Sequence, residues 1–398
     1  MQFFTRIFTL AVAAAPLLSQ AAPLTPRQSG GKYIVQLKPS IDIASIAVHH
    51  NNVREIHARN LAGRQDGGAP EGIDRKFDFG EFKGYSGSFD AATVEELKSL
   101  PEVLLVEEDY IMTTSTLITQ SNSTWGLGSI SSRTEGATSY IYDSTAGQGT
   151  YSYVIDSGIR ITHSDFGDRA TWGFNAVNDL DTDNLGHGTH VAGTIGGTTY
   201  GVAKRTNLIA VKVLEGNEGS TSDVISGLEW TINDIVTKNR QDSAVINISL
   251  GGPGAEVWDA AITSAWNAGV LIVVAAGNDG QLASTKSPGR SPEALTVGNI
   301  QQNGARNPFS NFGDAVDIWA AGTDVVSAYY SSDSATATLT GTSMASPHVA
   351  GLVSYVRGLE GLSSASAVKA RLVELATLNR VTDTQGAANL LAYNGNGR

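Results

Sequence analysis

The 398-residue chain predicts an α/β fold, a parallel sheet flanked by helices, preceded by a small separate α+β unit. Three observations predict it. Near-continuous apolar stretches of strand length alternate with amphipathic stretches of helix length through residues 151–319, the pattern of parallel strands buried on both faces. A Ser/Thr-rich stretch without periodicity, residues 113–123, sets that alternation apart from an N-terminal segment and reads as an exposed, cleavable linker. The 44 glycines, several in tight clusters, imply sharp turns between elements. With 41% hydrophobic and 17% charged residues the chain is globular. A net charge of −12 without a long basic run argues against nucleic acid or a membrane as partner. Nothing marks an oligomerisation surface, so a monomer is expected. There is no cysteine, so no disulfide supports the fold.

In chain order, Arg6, an apolar segment at 8–18 and the small-x-small run Ser19, Gln20, Ala21 predict a secretory signal peptide over residues 1–21 and an extracellular protein. The apolar segment is too short to span a bilayer, and no later stretch is long enough either. Residues 32–38 alternate as a strand, 41–58 suit a helix, 63–72 form a Gly/Pro/Asp-rich loop and 84–89 a strand. A helix at 91–100 places Val94, Leu97 and Leu100 on one face and stops at Pro101. Residues 103–108 close the unit as a strand. The order is βαββαβ-like, a ferredoxin-type module over about 33–112. Beyond the linker, strands at 151–155, 207–214, 244–249, 270–276, 294–300 and 316–319 alternate with helices at 222–238 and 257–267. In such sheets the C-terminal ends of the strands line the active crevice.

Four residues lie where chemistry is expected. Asp156 ends a buried strand, and a carboxylate there needs a partner. His187 stands between Gly186 and Gly188, which let the backbone bring an imidazole close to other groups. Ser343 follows Gly341 and Thr342 and opens an apolar run at 349–353 that reads as a buried helix, so free N–H groups and the helix dipole face it. Asn278 follows the apolar strand at 270–276. Taken singly these are a turn aspartate, a capping histidine, a capping serine and a Gly-Asn turn. Competing motifs fail. His187 and His190 are three apart with no Glu after the first, unlike a zincin; Val191 replaces the last glycine of a dinucleotide fingerprint; Ala345 breaks a Gly-x-Ser-x-Gly elbow. What remains is Asp156, His187, Ser343 in the chain order Asp, His, Ser. In that arrangement the serine attacks a carbonyl, the histidine carries the proton and the aspartate orients the imidazolium.

These segments resemble the subtilisin-like serine proteases, most closely the proteinase K branch with its secreted fungal alkaline proteases. The likeness begins near Trp125 and includes residues 154–159, 186–197, 249–252, 275–278 and 341–351. It implies a secreted serine endopeptidase of broad specificity with Asp156, His187 and Ser343 as triad and Asn278 as oxyanion donor. Gly219, Ser220, Thr221 and Ser249, Leu250, Gly251 become the edges that hold a substrate strand. Ala275, Ala276 and Gly277 wall an uncharged, roomy pocket. By the same resemblance residues 22–115 are an inhibitory, self-cleaved propeptide and folding chaperone, and 116–398 the peptidase domain. Structural Ca²⁺ is implied on Pro292, Ala294 and Asp317, whereas a second family calcium site meets Arg133. The acidic run 179–183 resembles half an EF-hand, lacks its Gly and Glu, and reads as a solvated loop. His190 is expected to be satisfied inside the core. The sequon at Asn122 lies in the linker and is available for glycosylation; that at Asn247 lies on a buried strand. Competing readings are a catalytically silent homologue acting as a binding protein and an N-terminal unit that persists as a free inhibitor.

Overall fold

A computed structural model describes residues 32–61, 72–109 and 116–396. The signal-peptide segment and the cleavage position at 115/116 fall at least partly outside the described residues. The chain divides into two compact units at Thr113/Thr114.

The first unit runs β1 (Lys32–Leu37), α1 (Ile43–Leu61), β2 (Gly72–Phe79), β3 (Phe82–Ser88), α2 (Ala91–Ser99) and β4 (Val103–Glu108). Its antiparallel sheet has the order β2-β3-β1-β4. Val35 and Leu37 of β1, Tyr85 of β3, Val53 of α1 and Val94 and Leu97 of α2 make the core. Strand β2 supplies the fourth strand that the expected βαββαβ order calls for, although the sequence expectations name no residues for it. Its apolar residues Ile73, Phe77 and Phe79 do alternate, but charges interrupt them, as suits a half-exposed edge strand. Helix α1 turns His49, His50 and His57 inward. His49 bridges Glu102 (2.7 Å) and the Tyr85 hydroxyl (3.1 Å).

The second unit contains β5 (Leu117–Gln120), α3 (Trp125–Ser131), β6 (Tyr140–Asp143), β7 (Tyr151–Asp156), β8 (Ala170–Asn175), α4 (His187–Gly196), β9 (Asn207–Lys212), α5 (Thr221–Thr237) and β10 (Ala244–Ile248). It continues with β11 (Gly252–Pro253), α6 (Glu256–Asn267), β12 (Ile272–Ala275), β13 (Lys286–Ser287), β14 (Leu295–Ile300), β15 (Ile318–Ala321), β16 (Val325–Ala328) and β17 (Thr336–Leu339). The last elements are α7 (Thr342–Glu360), α8 (Ala365–Leu375), β18 (Thr377–Leu378) and β19 (Leu390–Leu391). The nine-stranded sheet has the order β18-β19-β15-β14-β12-β10-β7-β9-β8. Its pairings are parallel except β18 with β19.

Alternate residues of each central strand enter opposite cores, because side chains on a strand point to opposite faces. Val154 and Val245 join Val191, Ile195, Val349 and Val353 from α4 and α7. Tyr153, Ile155, Ile246 and Ile248 join Val224, Leu228, Trp258 and Ile262 from α5 and α6. Both faces being covered, the strands need no polar side, which is why they read as apolar runs. The expected linker is partly wrong: residues 117–120 form β5 and pair in register with β6. Four exposed or half-exposed residues with Thr and Gln among them carry little strand signal; the pairing with β6 supplies it. Helix α8, absent from the sequence expectations, packs Val368 and Leu372 onto the first core. Among the described residues no helix is long and apolar enough to cross a membrane.

Candidate active site

Three neighbouring strands, β7, β10 and β12, end side by side at one edge of the sheet and deliver Asp156, Ser249 and Ala275 there. Asp156 is fully buried. Its Oδ1 accepts from the Ser157 N–H at 2.8 Å and from His187 Nδ1 at 2.7 Å, and its Oδ2 lies 3.0 Å from the same nitrogen. His187 opens α4. The approach depends on Gly188, where a Cβ would stand 2.1 Å from the Gly158 carbonyl oxygen. Burial pulls the His187 pKa down, but the charge and hydrogen bond of Asp156, helped by the charge of Asp183, outweigh it and hold it above the usual histidine value. With Nδ1–H donated to Asp156, Nε2 of the neutral ring is the free base.

Asp183 is the one member of the acidic run that is not solvated. It is buried and accepts from the N–H groups of Leu185, Gly186 and Thr189 and from the hydroxyls of Ser157 and Thr189. It thus anchors the start of α4, the helix that carries His187. His190 on the same helix is fully buried. Its Nε2 lies 2.9 Å from the Val325 carbonyl, which satisfies one side of the ring inside the core as expected.

Ser343 is the second residue of α7, where the helix leaves N–H groups without intrahelical partners. Its Oγ donates to the Ser249 carbonyl at 2.9 Å, and the Ser249 hydroxyl donates back to the Ser343 carbonyl at 2.9 Å. The second bond follows from Pro347. Lacking an N–H, Pro347 leaves the carbonyl four residues earlier without its helical donor, and Ser249 supplies one.

Asn278 is oriented by the same helix start. Its Oδ1 accepts from the Thr342 N–H (2.8 Å) and hydroxyl (3.1 Å). A backbone N–H can only donate, so the amide flip is determined, and Nδ2, with no hydrogen-bond partner among the described residues, lines the cleft together with Ser343. The loop beneath is held by Asn311, which sequence reasoning missed. Fully buried, its Nδ2 donates to the Ala276 carbonyl (2.9 Å) while its Oδ1 accepts from Asp279 N–H (3.0 Å) and Gln281 N–H (3.1 Å). Gly277, at φ 101°, is the turn this clamp requires, and a Cβ there would stand 2.4 Å from Asn311 Nδ2. Nothing near Asn311 in sequence marks it except its place after Phe309 and Ser310, an ordinary loop composition.

The cleft, of about 310 Å³, is lined by Ser249, Leu250 and Gly251 on one side and Ala275, Ala276 and Gly277 on the other, with Asn278, Thr342 and Ser343 at its end. The expectation of an uncharged pocket is corrected: Asp279 and Lys286 also line it, as an ion pair at 3.1 Å. Of the second expected substrate edge, Ser220 caps α5 in a capping box with Asp223, so its own N–H is spent on the helix start. Gly219, Ser220 and Thr221 are exposed.

The residues expected to bind calcium do not fit it. The Lys369 ammonium stands among them, 2.7 Å from the Ala294 carbonyl and 3.1 Å from both the Pro292 carbonyl and Asp317 Oδ1. Arg133, expected to displace a second calcium, donates to the carbonyls of Leu375 and Ala376. Asn122 is exposed, in the turn after β5 at φ 53°, and Asn247 is fully buried, bonded to Ser249 and Ser346.

A doubly covered parallel sheet with an imidazole–carboxylate pair and a helix-borne serine at its C-terminal edge is the architecture of a serine hydrolase. Residues 147–397 match the family model described as "Subtilase family", and residues 32–115 match "Peptidase inhibitor I9". The chain belongs to the subtilase family; it is a serine endopeptidase preceded by an inhibitor-type propeptide. Alkaline protease 1 of Aspergillus clavatus is 50% identical over 99% of this chain and 100% of the relative. Alkaline proteinase of Hapsidospora chrysogena is 48% identical over 95% of each chain. The crystal structure of a cold adapted subtilisin-like serine proteinase superposes with a TM-score of 0.65 at 39% identity, covering 69% of this chain and 99% of that one.

Proposed function

We propose that residues 116–398 hydrolyse peptide bonds of proteins with broad specificity through an acyl-enzyme on Ser343. The observation that carries this reading is the Asp156–His187 bond of 2.7 Å at the strand ends, with Ser343 and a pre-oriented Asn278 at the adjoining helix start. Rotation about χ1 takes Oγ of Ser343 from the Ser249 carbonyl to Nε2 of His187, which accepts the proton as Oγ attacks the scissile carbonyl. The tetrahedral oxyanion then receives Asn278 Nδ2 and the Ser343 N–H, with the dipole of α7 behind them. His187 returns the proton to the leaving amine, and water repeats the sequence to release the acid. Because His187 must be neutral, activity belongs at neutral to alkaline pH.

The chain is made as a zymogen. Its signal peptide at residues 1–21 directs secretion, and the propeptide at 22–115 inhibits and assists folding until the enzyme removes it near 115/116. Asn122 carries a glycan. Treating the secreted protein with a phosphonofluoridate and mapping both adduct and N-terminus tests this. An adduct on Ser343 in a chain beginning near Thr116 is expected. A folded, matured protein without an adduct would overturn the mechanism and favour a silent homologue.

A further inference from the structure

Subtilisin-like folds generally bind structural calcium. We propose that in this chain the ammonium of Lys369 is the resident cation of the site formed by Pro292, Ala294 and Asp317, and that this edge of the sheet is held together without calcium. The three oxygens come from the segments just ahead of β14 and β15, at the N-terminal ends of those strands, opposite the catalytic edge. Lys369 reaches them from α8, so one charge ties three segments.

The stoichiometry is complete. An ammonium has three donors and no acceptor, and Nζ meets three oxygens at 2.7, 3.1 and 3.1 Å. Those are N–H···O distances, whereas calcium sits at roughly 2.3–2.6 Å from six to eight oxygens. The other oxygen of Asp317 accepts the Thr296 N–H at 2.8 Å, so the carboxylate is committed on both sides. One lysine against one carboxylate is neutral, and a divalent ion there would leave an excess positive charge. The lysine is also tethered, so free calcium competes against an intramolecular donor.

The same device recurs twice. Lys204 donates to the carbonyls of Thr198 (2.9 Å) and Thr199 (3.2 Å) beneath the rings of Tyr140 and Tyr142. Arg133 donates to Leu375 (3.0 Å) and Ala376 (3.4 Å) over the ring of Tyr393. In each case carbonyls converge on a basic side chain.

The test uses the mature protein with its serine blocked against autolysis, and reads melting temperature in EDTA and in millimolar calcium. In the unaltered protein no part of any calcium-induced shift depends on Asp317, so Asp317→Asn leaves that shift unchanged. Lys369→Ser opens the oxygen cage. It melts lower in EDTA and recovers by about 5 °C or more at calcium a hundredfold above its Kd. Adding Asp317→Asn abolishes the recovery. Lys369→Met fills the space without a charge, melts lower and gains nothing from calcium through Asp317. The proposal is overturned if Asp317→Asn removes a calcium shift present in the unaltered protein, because calcium then displaces the lysine. It is equally overturned if Lys369→Ser and Lys369→Met melt like the unaltered protein, or if calcium fails to stabilise Lys369→Ser.

Discussion

Asn311 is where the candidate oxyanion site is most exposed to a single change. Asn311→Leu keeps the size and removes both hydrogen-bonding ends. It leaves the Ala276 carbonyl and the N–H groups of Asp279 and Gln281 without their partner. Each lost bond is worth about 1 kcal/mol net, more where the orphaned group stays away from water. Ala276 is buried, while Asp279 and Gln281 are exposed residues that water can reach, so the sum is roughly 2–4 kcal/mol. For a unit of this size that lowers the melting temperature by about 5–10 °C. The loop also carries Asn278. Removing the oxyanion asparagine of subtilisin itself lowers turnover about 10²–10³-fold, a magnitude carried over from that enzyme, and it bounds what loosening the loop can do. We expect kcat to fall roughly tenfold with KM nearly constant, because misplacing an oxyanion donor weakens the transition state alone.

The assay is steady-state hydrolysis of a peptide amide per titrated active site, for Asn311→Leu, Asn278→Ala and the double variant. If Asn311 acts through Asn278, the double variant turns over no more slowly than Asn278→Ala. An unchanged kcat in Asn311→Leu, or kcat losses that multiply in the double variant, would show that the clamp serves stability only.

Three further outcomes are expected. The acid limb of kcat/KM lies above pH 6.5, since Asp156 raises the His187 pKa; Asp156→Asn moves that limb to lower pH and cuts the plateau by about 10⁴-fold, measured as pH–rate profiles. In the propeptide, burial, helped by the charges of Lys76, His49 and Arg54, lowers the His50 pKa to about 4. A base lowered in this way contributes stability in full above about pH 6.5 and loses it as pH falls towards 4. Hydrogen-exchange protection factors within α1 of the uncleaved Ser343→Ala chain, taken relative to the intrinsic rate at each pH, should therefore fall between pH 7 and 5, and His50→Phe should flatten the dependence. Lys286→Ala unpairs Asp279 in the cleft. Relative kcat/KM for substrates with an acidic residue before the scissile bond should drop several-fold against aromatic ones; an unchanged ratio places the ion pair outside specificity.

Much of the scaffold was legible because it rests on local pattern. The strands β7, β10, β12 and β14 are buried on both faces and so are largely apolar, and α5 repeats its apolar residues at helical spacing. Strand β2 escaped notice because an edge strand keeps its charges, and β5 because only its partner β6 makes it a strand. The sequence reads as an uncharged cleft because Lys286 lies nine to eleven residues beyond the wall of Ala275, Ala276 and Gly277, and only the folding back of β13 against β11 brings it there.

Asp156, His187, Asn278 and Ser343 were singled out from residue type, glycine context and order along the chain, since each needs a turn that glycine or a helix start must supply. That information is local, and the sequence by itself determined it, together with the alternation that makes a doubly covered parallel sheet. The partners were decided by tertiary structure alone. Thr342 orienting Asn278, Asn311 holding its loop, Ser249 taking the carbonyl that Pro347 frees, and Lys369 standing where calcium was expected all join residues distant in the chain. A hydrogen bond depends on a few ångströms of separation, and for residues 75 apart, such as Ala294 and Lys369, only the packed fold sets that distance.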